Sequence, residues 1–169
     1  MTAGQRLFFI WIVLLVSMAG GLAVGADESQ KIDELISKLG QRDFQNVVDA
    51  LVRIGDPAVE PLIQSLKDKS VETWTIQARA IDTLAKIKTP RAVEAVVRSL
   101  KDTDLDPYAR GFAAMAVVEL RPEGALEAFT EALTDKSQFV RWKSVQALGT
   151  LGDKQGANAL IRALKDEDQ

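Results

Sequence analysis

The sequence predicts an all-α superhelix, a solenoid of about four helix pairs preceded by one N-terminal helix. The first observation behind it is a repeat, since residues 58–68 read AVEPLIQSLKD and residues 92–102 read AVEAVVRSLKD. The second is another helical segment, rich in small residues, that stands between successive copies of the first. One helix pair of this length cannot bury its own apolar side, so stacked pairs must share a continuous core.

The first segment, named the B segment here, occurs five times in one register. Its first, fourth, fifth and eighth positions are mostly apolar, the pattern of a helix buried on one side. The copies are residues 32–39, 59–66, 93–100, 126–133 and 157–164. Their closing leucines are 27, 34, 33 and 31 residues apart, which indicates a repeat of about 30 residues.

The second segment, named the A segment, is also helical in its period. Its copies are residues 47–56, 80–87, 113–120 and 144–153. Two predicted helix starts, at Thr89-Pro90 and Asp106-Pro107, place a capping side chain before a proline. A third, Asp56-Pro57, is complicated by Pro61, which would break a helix interior. We expect a lead-in turn at 57–60 and a regular helix from Pro61.

The last repeat carries a resemblance to a known family. Residues 140–166, VRWKSVQALGTLGDKQGANALIRALKD, resemble a HEAT-type repeat of the short bacterial kind also found in phycobilisome lyase subunits. The resemblance covers residues 28–169. It implies a binding scaffold whose B helices line a concave surface. Residues 110–124, RGFAAMAVVELRPEG, lack the Leu-Gly-x-x-Gly-Asp ending of the pattern, so we expect an irregular turn there.

The first 26 residues are predicted to be a signal peptide, followed by one repeat domain at 27–169. Arg6 precedes an uncharged apolar run that ends in small residues at Val24-Gly25-Ala26. Cleavage after Ala26 would leave an exported protein, periplasmic or secreted. The alternative is a membrane anchor formed by residues 7–26, because about 20 apolar residues span a bilayer.

Composition restricts the chemistry. The chain has no histidine and no cysteine, which removes the commonest general base, the usual transition-metal ligands and any disulfide framework. Some HEAT-like hydroxylases hold iron with His-Glu motifs, and without histidine that activity does not carry over. We therefore predict no catalytic residues, no metal and no cofactor. The net charge of −3, with interspersed signs, argues against a nucleic-acid partner.

Outward positions of the B segments form the predicted protein-binding column. Its residues are Glu60, Gln64, Glu94, Arg98, Glu127, Glu131 and Arg162. Glu94 and Arg98 are a favourable i, i+4 pair, whereas Glu127 and Glu131 repel each other and would accept a cation from a partner. The alternative is an ordinary solvated helix face.

A cluster of three aspartates allows two interpretations. The loop carboxylates Asp102, Asp104 and Asp106 suggest weak calcium binding, but Pro107 and Ala113 stand where an EF-hand needs glycine and glutamate. A helix-capping turn explains these aspartates more simply. We also expect ion pairs between repeats, Asp135 with Arg141 and, across a longer loop, Asp102 with Arg110.

Aromatic residues recur near the starts of the A helices. They are Trp74, Tyr108, Phe139 and Trp142. Exposed together they would form a binding patch. More often such residues fill gaps between helix layers.

The sequence thus predicts a non-enzymatic protein-interaction scaffold of the cell envelope or exterior, a monomer on its own, whose partner is another protein. The alternative is an accessory subunit or lyase-like factor acting on a partner protein, or a membrane-anchored assembly factor.

Overall fold

The computed structural model describes residues 27–67, 74–152, 156–158 and 160–161. The predicted signal peptide at 1–26 and the candidate residue Arg162 lie outside the described residues. Within these ranges, none of the helices combines the length and apolar character needed to cross a bilayer.

The described residues contain eight complete helices, part of a further one and no strand, which confirms the predicted all-α solenoid. The helices are α1 (residues 27–37), α2 (Phe44–Ile54), α3 (Val59–Leu66), α4 (Trp74–Ile87), α5 (Pro90–Lys101), α6 (Pro107–Leu120), α7 (Ala125–Ala132) and α8 (Gln138–Leu151). Short 3-10 turns occupy Lys38–Gly40 and Asp56–Ala58. Further helical residues at 156–158 and 160–161 fall in the fifth B segment.

The helices form two rows. The A row contains α2, α4, α6 and α8, and the B row contains α3, α5 and α7. The register of the first B segment assigns α1 to the B row. Each of α3, α5 and α7 packs against the A helix that follows it in the chain. Neighbouring A helices contact one another more extensively than neighbouring B helices do. The stack is therefore closely spaced along its A row and more open along its B row.

The core follows the periodicity of the repeats. The closing leucines of the first four B segments, Leu39, Leu66, Leu100 and Leu133, are all buried. The A helices contribute mainly small residues to the buried side. In α6 these are Ala109, Ala113, Ala114, Ala116 and Val117. Small side chains let adjacent A helices approach closely, which explains the tight spacing of that row.

The predicted helix starts are confirmed with one shift. The Thr89 hydroxyl accepts a hydrogen bond from the backbone N–H of Ala92, and the Asp106 carboxylate accepts one from that of Tyr108. Helix α3 begins at Val59, two residues before the predicted start. Pro61 fits there because N–H groups in the first turn have no intrahelical partner to lose.

The expected irregular turn after α6 is present. Arg121 caps the helix in the left-handed region with a φ of 47°, and its N–H donates to the carbonyl of Val117. At the end of α8 the same role belongs to Gly152, which adopts this region without strain. A non-glycine residue there costs about 1–2 kcal/mol.

A buried ion pair joins successive repeats. Arg110 donates to the Asp135 carboxylate at 2.8 Å and to the Leu105 carbonyl at 2.9 Å. The side chains of Arg110 and Asp135 are 4% and 7% exposed. The sequence suggested that Arg110 pairs with Asp102 and Arg141 with Asp135, which is wrong. Arg141 instead donates to the backbone carbonyl of Asp135, because the buried carboxylate is already taken by Arg110.

Candidate partner-binding surface

Five aromatic side chains form a continuous array across three A helices. This aromatic ladder consists of Trp74 of α4, Tyr108 and Phe112 of α6, and Phe139 and Trp142 of α8. The ring centroid of Trp74 lies 5.6 Å from Tyr108 and 6.2 Å from Phe112, the latter pair nearly parallel. Phe139 continues the array at 4.8 Å from Tyr108 and 6.0 Å from Trp142. Ring pairs at such separations attract each other.

The register of the repeats brings these rings together. Trp74 is the first residue of α4, and Tyr108 and Phe139 are the second residues of α6 and α8. Because the A helices are stacked side by side, equivalent positions in successive helices become neighbours. The array is therefore a direct product of the repeat.

A single glycine allows the array to cross α6. Gly111 is buried, and a Cβ added to it would lie 2.2 Å from Cε1 of Phe139. Non-bonded carbon atoms do not approach that closely, so the Phe139 ring occupies the space that a side chain at position 111 would need. Gly111 thus positions Phe139 between Tyr108 and Trp142.

Most of the ladder is open to solvent. Trp74 is 42% exposed, Tyr108 52%, Phe112 42% and Trp142 54%. Filling of gaps between layers was the commoner explanation of these aromatics, and it is wrong for three of the four predicted positions; only Phe139 is half-buried. Phe112 was missed because nothing in an apolar helix marks which large residue faces outward. Large exposed apolar groups in a contiguous array indicate an interaction surface.

A lysine lies over the end of the ladder. The Lys143 ammonium is 4.6 Å from the ring centroid of Trp142 and 5.8 Å from that of Phe139. It also lies 3.7 Å from the Met115 sulfur and 3.4 Å from the Gln146 amide oxygen. Among the residues that the structure describes, no carboxylate is within ion-pairing distance of this ammonium.

Two shallow grooves continue from the ladder along the A row. One, of about 300 Å³, lies between α4 and α6 and includes Asp82, Phe112 and Glu119. The other, of about 210 Å³, lies between α6 and α8 and includes Lys143. Met115 and Glu119 border both grooves. The ladder and grooves form one surface with apolar rings at one end and mixed charges at the other.

The predicted binding column lies on the B row, where several charges are paired within the chain. Gln64 donates to the Glu60 carboxylate at 2.6 Å, and Arg91 of the next repeat also pairs with Glu60. Arg98 pairs with Glu94 at 2.6 Å. These contacts are exposed, so each contributes little to stability.

The remaining column residues are not brought into one cluster. Lys101 pairs with Glu131 at 2.6 Å and supplies the cation that the sequence assigned to a partner. Glu127 is exposed in the first turn of α7. Partner binding by the B column remains a prediction.

Two of the three aspartates of the loop before α6, Asp102 and Asp106, act as turn and cap acceptors. Asp102 accepts a hydrogen bond from the N–H of Asp104, and Asp106 caps α6. Across the described parts of the chain, no three His, Cys, Asp or Glu residues are grouped so that they could hold a metal ion.

Comparison with known proteins decides the family. The profile of HEAT repeats matches residues 32–106 and 100–169. The chain belongs to the HEAT-repeat family. The two matched ranges cover the helices of both rows, so the resemblance seen in the last repeat extends through the HEAT-repeat domain.

Curated relatives of this HEAT-repeat protein are named as enzymes. The chain is 30% identical over 145 residues to deoxyhypusine hydroxylase of Aspergillus fumigatus and 29% identical to that of Neosartorya fischeri. Each match covers 78% of this chain and 42% of the relative. The chain thus spans less than half the length of the curated relatives it matches.

Two solved structures share the fold. The complex of CpcE and CpcF of phycocyanin lyase from Nostoc matches with a TM-score of 0.60 and 24% identity, over 81% of this chain and 90% of that one. Human deoxyhypusine hydroxylase matches with a TM-score of 0.52 and 18% identity, over 70% and 42%. At these identities the likeness shows the architecture.

These comparisons correct the expected function. The prediction of a non-enzymatic scaffold, and with it the prediction that the protein is not an enzyme, is wrong because the curated relatives are hydroxylases. The alternative interpretation, an accessory subunit or lyase-like factor acting on a partner protein, agrees better with them.

Proposed function

We propose that this protein is a HEAT-repeat subunit of an enzyme that modifies another protein, and that the aromatic ladder holds the protein to be modified. The exposed ladder is the observation that carries the proposal. Aromatic anchors supply most of the binding energy in many protein interfaces. The similarity to named enzymes supports the association with a modifying activity.

The residues of this chain fit a binding role within such an enzyme better than a metal-centred one. The chain has no histidine, so a His-Glu iron site does not fit it. Residues of the A row would bind and orient the target, and a second chain would make or break the bond. The likeness to a structure that contains two lyase proteins in complex supports this division.

The A row is the better candidate for the binding surface because its exposed groups have fewer partners within the chain than those of the B row. On the B row, Glu60, Glu94 and Glu131 all have partners within the chain. On the A row, large rings face solvent and Lys143 has only aromatic, sulfur and amide neighbours among the described residues. A partner gains more by covering apolar surface than by replacing exposed ion pairs.

The proposal includes export of the protein from the cytoplasm, because residues 1–26 are predicted to be a signal peptide. Export and cleavage after Ala26 would release the HEAT domain, whereas retention of residues 7–26 would tether it to a membrane. The intact mass of the protein from its native host distinguishes the two. Processing between Ala26 and Asp27 is expected. A mass that includes residues 1–26, with the protein recovered in the membrane fraction, would support the tether.

The proposal is tested with the full chain as bait in an extract of its host. The double variant Trp74→Ala/Trp142→Ala removes two exposed rings of the ladder, and Arg98→Ala on the B row serves as the matched control. Captured proteins are incubated and their intact masses are followed with time. We expect a captured protein to acquire a defined mass change with the wild-type and Arg98→Ala chains and not with the ladder variant.

The opposite pattern would contradict the proposal. If the ladder variant captures and supports modification as well as the wild type, the A row is not the binding surface. Thermal midpoints well above the assay temperature for all three chains ensure that the comparison reports binding. The Arg98→Ala control is expected to change stability by about 0.5 kcal/mol or less, whereas the ladder variant also loses ring contacts of about 0.5–1.5 kcal/mol each.

A further inference from the structure

We propose that the segment bound by the aromatic ladder is extended, contains proline, and carries one carboxylate that pairs with Lys143. The inference rests on the proposed function and names the chemistry of the partner segment. Three independent features of the surface lead to it: the exposed rings, the hydrogen-bond donors on those rings, and the lysine that lies over them.

The first feature is the succession of exposed rings. Proline-rich segments adopt a polyproline II helix before binding, so little conformational entropy is lost when they dock. Grooves lined by aromatic side chains are the usual receptors for such segments. Tyr108 and Trp142, on neighbouring helices and both about half exposed, flank Phe139 and present flat apolar faces of this kind.

The second feature separates an extended segment from a helical one. Tyr108 and Trp142 are 52% and 54% exposed, and among the described residues their hydroxyl and indole N–H have no acceptor within the chain, so solvent or a partner must satisfy them. In a bound helix the backbone carbonyls already accept hydrogen bonds within the helix, so they would not need these two donors. A polyproline II segment leaves all of its carbonyls unpaired, and two ring donors beside apolar faces are what such a backbone requires.

The third feature sets the charge of the segment. Three other lysines of the described residues pair with carboxylates of the chain: Lys38 with Glu34, Lys86 with Asp82 and Lys101 with Glu131. Lys143 instead lies over two rings. A carboxylate arriving with the segment would complete an ion pair that the bound partner shields from water, where charge-assisted hydrogen bonds are strongest.

The position of Glu119 limits the segment to one carboxylate at this point. Glu119 lies on α6 one turn beyond Met115 and borders the same groove as Lys143. A second acidic residue placed farther along the groove would face Glu119 and be repelled. The complementary segment therefore has its acid beside the ladder and neutral residues beyond it. A nucleic acid, with a charge at every phosphate, does not meet this requirement.

The test uses three fluorescein-labelled peptides of ten residues whose binding to the full chain is followed by fluorescence anisotropy. One has a central Pro-Pro-Glu-Pro-Pro, the second replaces its glutamate by glutamine, and the third replaces its prolines by alanine. We expect the first peptide to bind at least about fivefold more tightly than either of the others. Trp142→Ala should abolish its binding.

Paired charge variants make the test specific. Lys143→Gln should bind the glutamate and glutamine peptides equally, whereas Lys101→Gln, an identical charge change on the B row, should keep the preference for glutamate. The inference is overturned if the glutamine peptide binds as well as the glutamate peptide, if Lys143→Gln keeps the preference, or if no peptide binds.

Two further measurements distinguish a second copy of this chain from a peptide as the occupant, and distinguish failure of this inference from failure of the proposed function. Sedimentation that shows a dimer lost on Trp142→Ala would assign the ladder to a second copy of this chain and overturn the inference. Capture and modification of a partner that depend on the ladder, together with no peptide binding, would leave the proposed function standing and remove only the proline–carboxylate assignment.

Discussion

Gly111 of α6 and Phe139 of α8 share one space. A Cβ at position 111 would lie 2.2 Å from Cε1 and 2.9 Å from Cδ1 of the ring. The glycine is helical and buried, where alanine would ordinarily be the better helix former by about 1 kcal/mol. Its presence is therefore explained by the ring that it admits.

The first prediction concerns Gly111→Ala. The added methyl group displaces Phe139, and we expect overpacking to outweigh the gain in helix propensity, with a net loss of about 1–3 kcal/mol in the free energy of unfolding. Urea unfolding measures it. Gly149→Ala in α8 is the matched control, because nothing lies within 4 Å of its added Cβ. That control should be neutral or stabilising; equal losses at the two positions would contradict the contact.

Removal of Arg110 should be among the most damaging single changes. In Arg110→Met the Asp135 carboxylate stays buried without its cation, and we expect a loss of about 3–5 kcal/mol. The double variant Arg110→Met/Asp135→Leu should lose less than the sum of the single variants, because it removes both charges. Additive losses in denaturant unfolding would show that the pair is not coupled.

Truncation of a closing leucine tests the shared core. Leu100 is fully buried, and we expect Leu100→Ala to lower the free energy of unfolding by about 2–5 kcal/mol. Val145→Ala is the control, since Val145 is an exposed aliphatic residue of α8 and should change stability by about 0.5 kcal/mol or less. A thermal midpoint unaffected by Leu100→Ala would contradict the assigned core.

The exposure of the ladder predicts how tryptophan fluorescence responds to iodide. Trp11→Phe leaves only Trp74 and Trp142 as indoles in the chain. Both are exposed, so iodide should quench most of the emission of the folded protein. The glutamate peptide should protect that emission. Quenching confined to the urea-unfolded chain would mean that the indoles are inside the stack.

The ion pair between Glu34 and Lys38, in the N-terminal part of the stack, predicts how the stability of the protein depends on pH. The Lys38 ammonium donates to the Glu34 carboxylate at 2.6 Å and lowers the pKa of Glu34 below its ordinary value, through this hydrogen bond and its charge. The contribution of Glu34 to stability is therefore present above its unfolded pKa and disappears as the pH falls through the folded pKa.

The pKa of Glu34 can be followed by NMR of its carboxyl carbon. Lys38→Met should raise it toward the ordinary value, and Lys136→Met, in the loop before α8, should leave it unchanged. An unchanged pKa in Lys38→Met would exclude Lys38 as its cause.

The architecture could be predicted from the sequence because each repeat has the same pattern of apolar residues. Closing leucines in one register could be buried only by stacking, and Leu39, Leu66, Leu100 and Leu133 are buried. Local capping chemistry likewise placed the starts of α5 and α6. These features depend on residues a few positions apart, which a single sequence displays directly.

The candidate surface was harder to predict because α6 is apolar on several sides. Apart from Arg110 and Gly111, its buried positions hold alanine and valine, while Phe112 and Met115 face outward. Ordinary reasoning places the larger apolar residues inside, and here the close approach of neighbouring helices reverses that preference. The pairing of Arg110 was missed for a related reason, since it joins residues 25 positions apart across a helix boundary.

Three successive A helices, α4, α6 and α8, each carry a ring of the ladder at their first or second residue. The length of the surface therefore depends on the number of such repeats. Duplicating an internal repeat would lengthen the aromatic ladder by one more ring-bearing helix without changing any loop, and deleting a repeat would shorten the ladder. Selection on a longer or shorter target segment could therefore act through the copy number of a thirty-residue unit instead of through point changes at a fixed pocket.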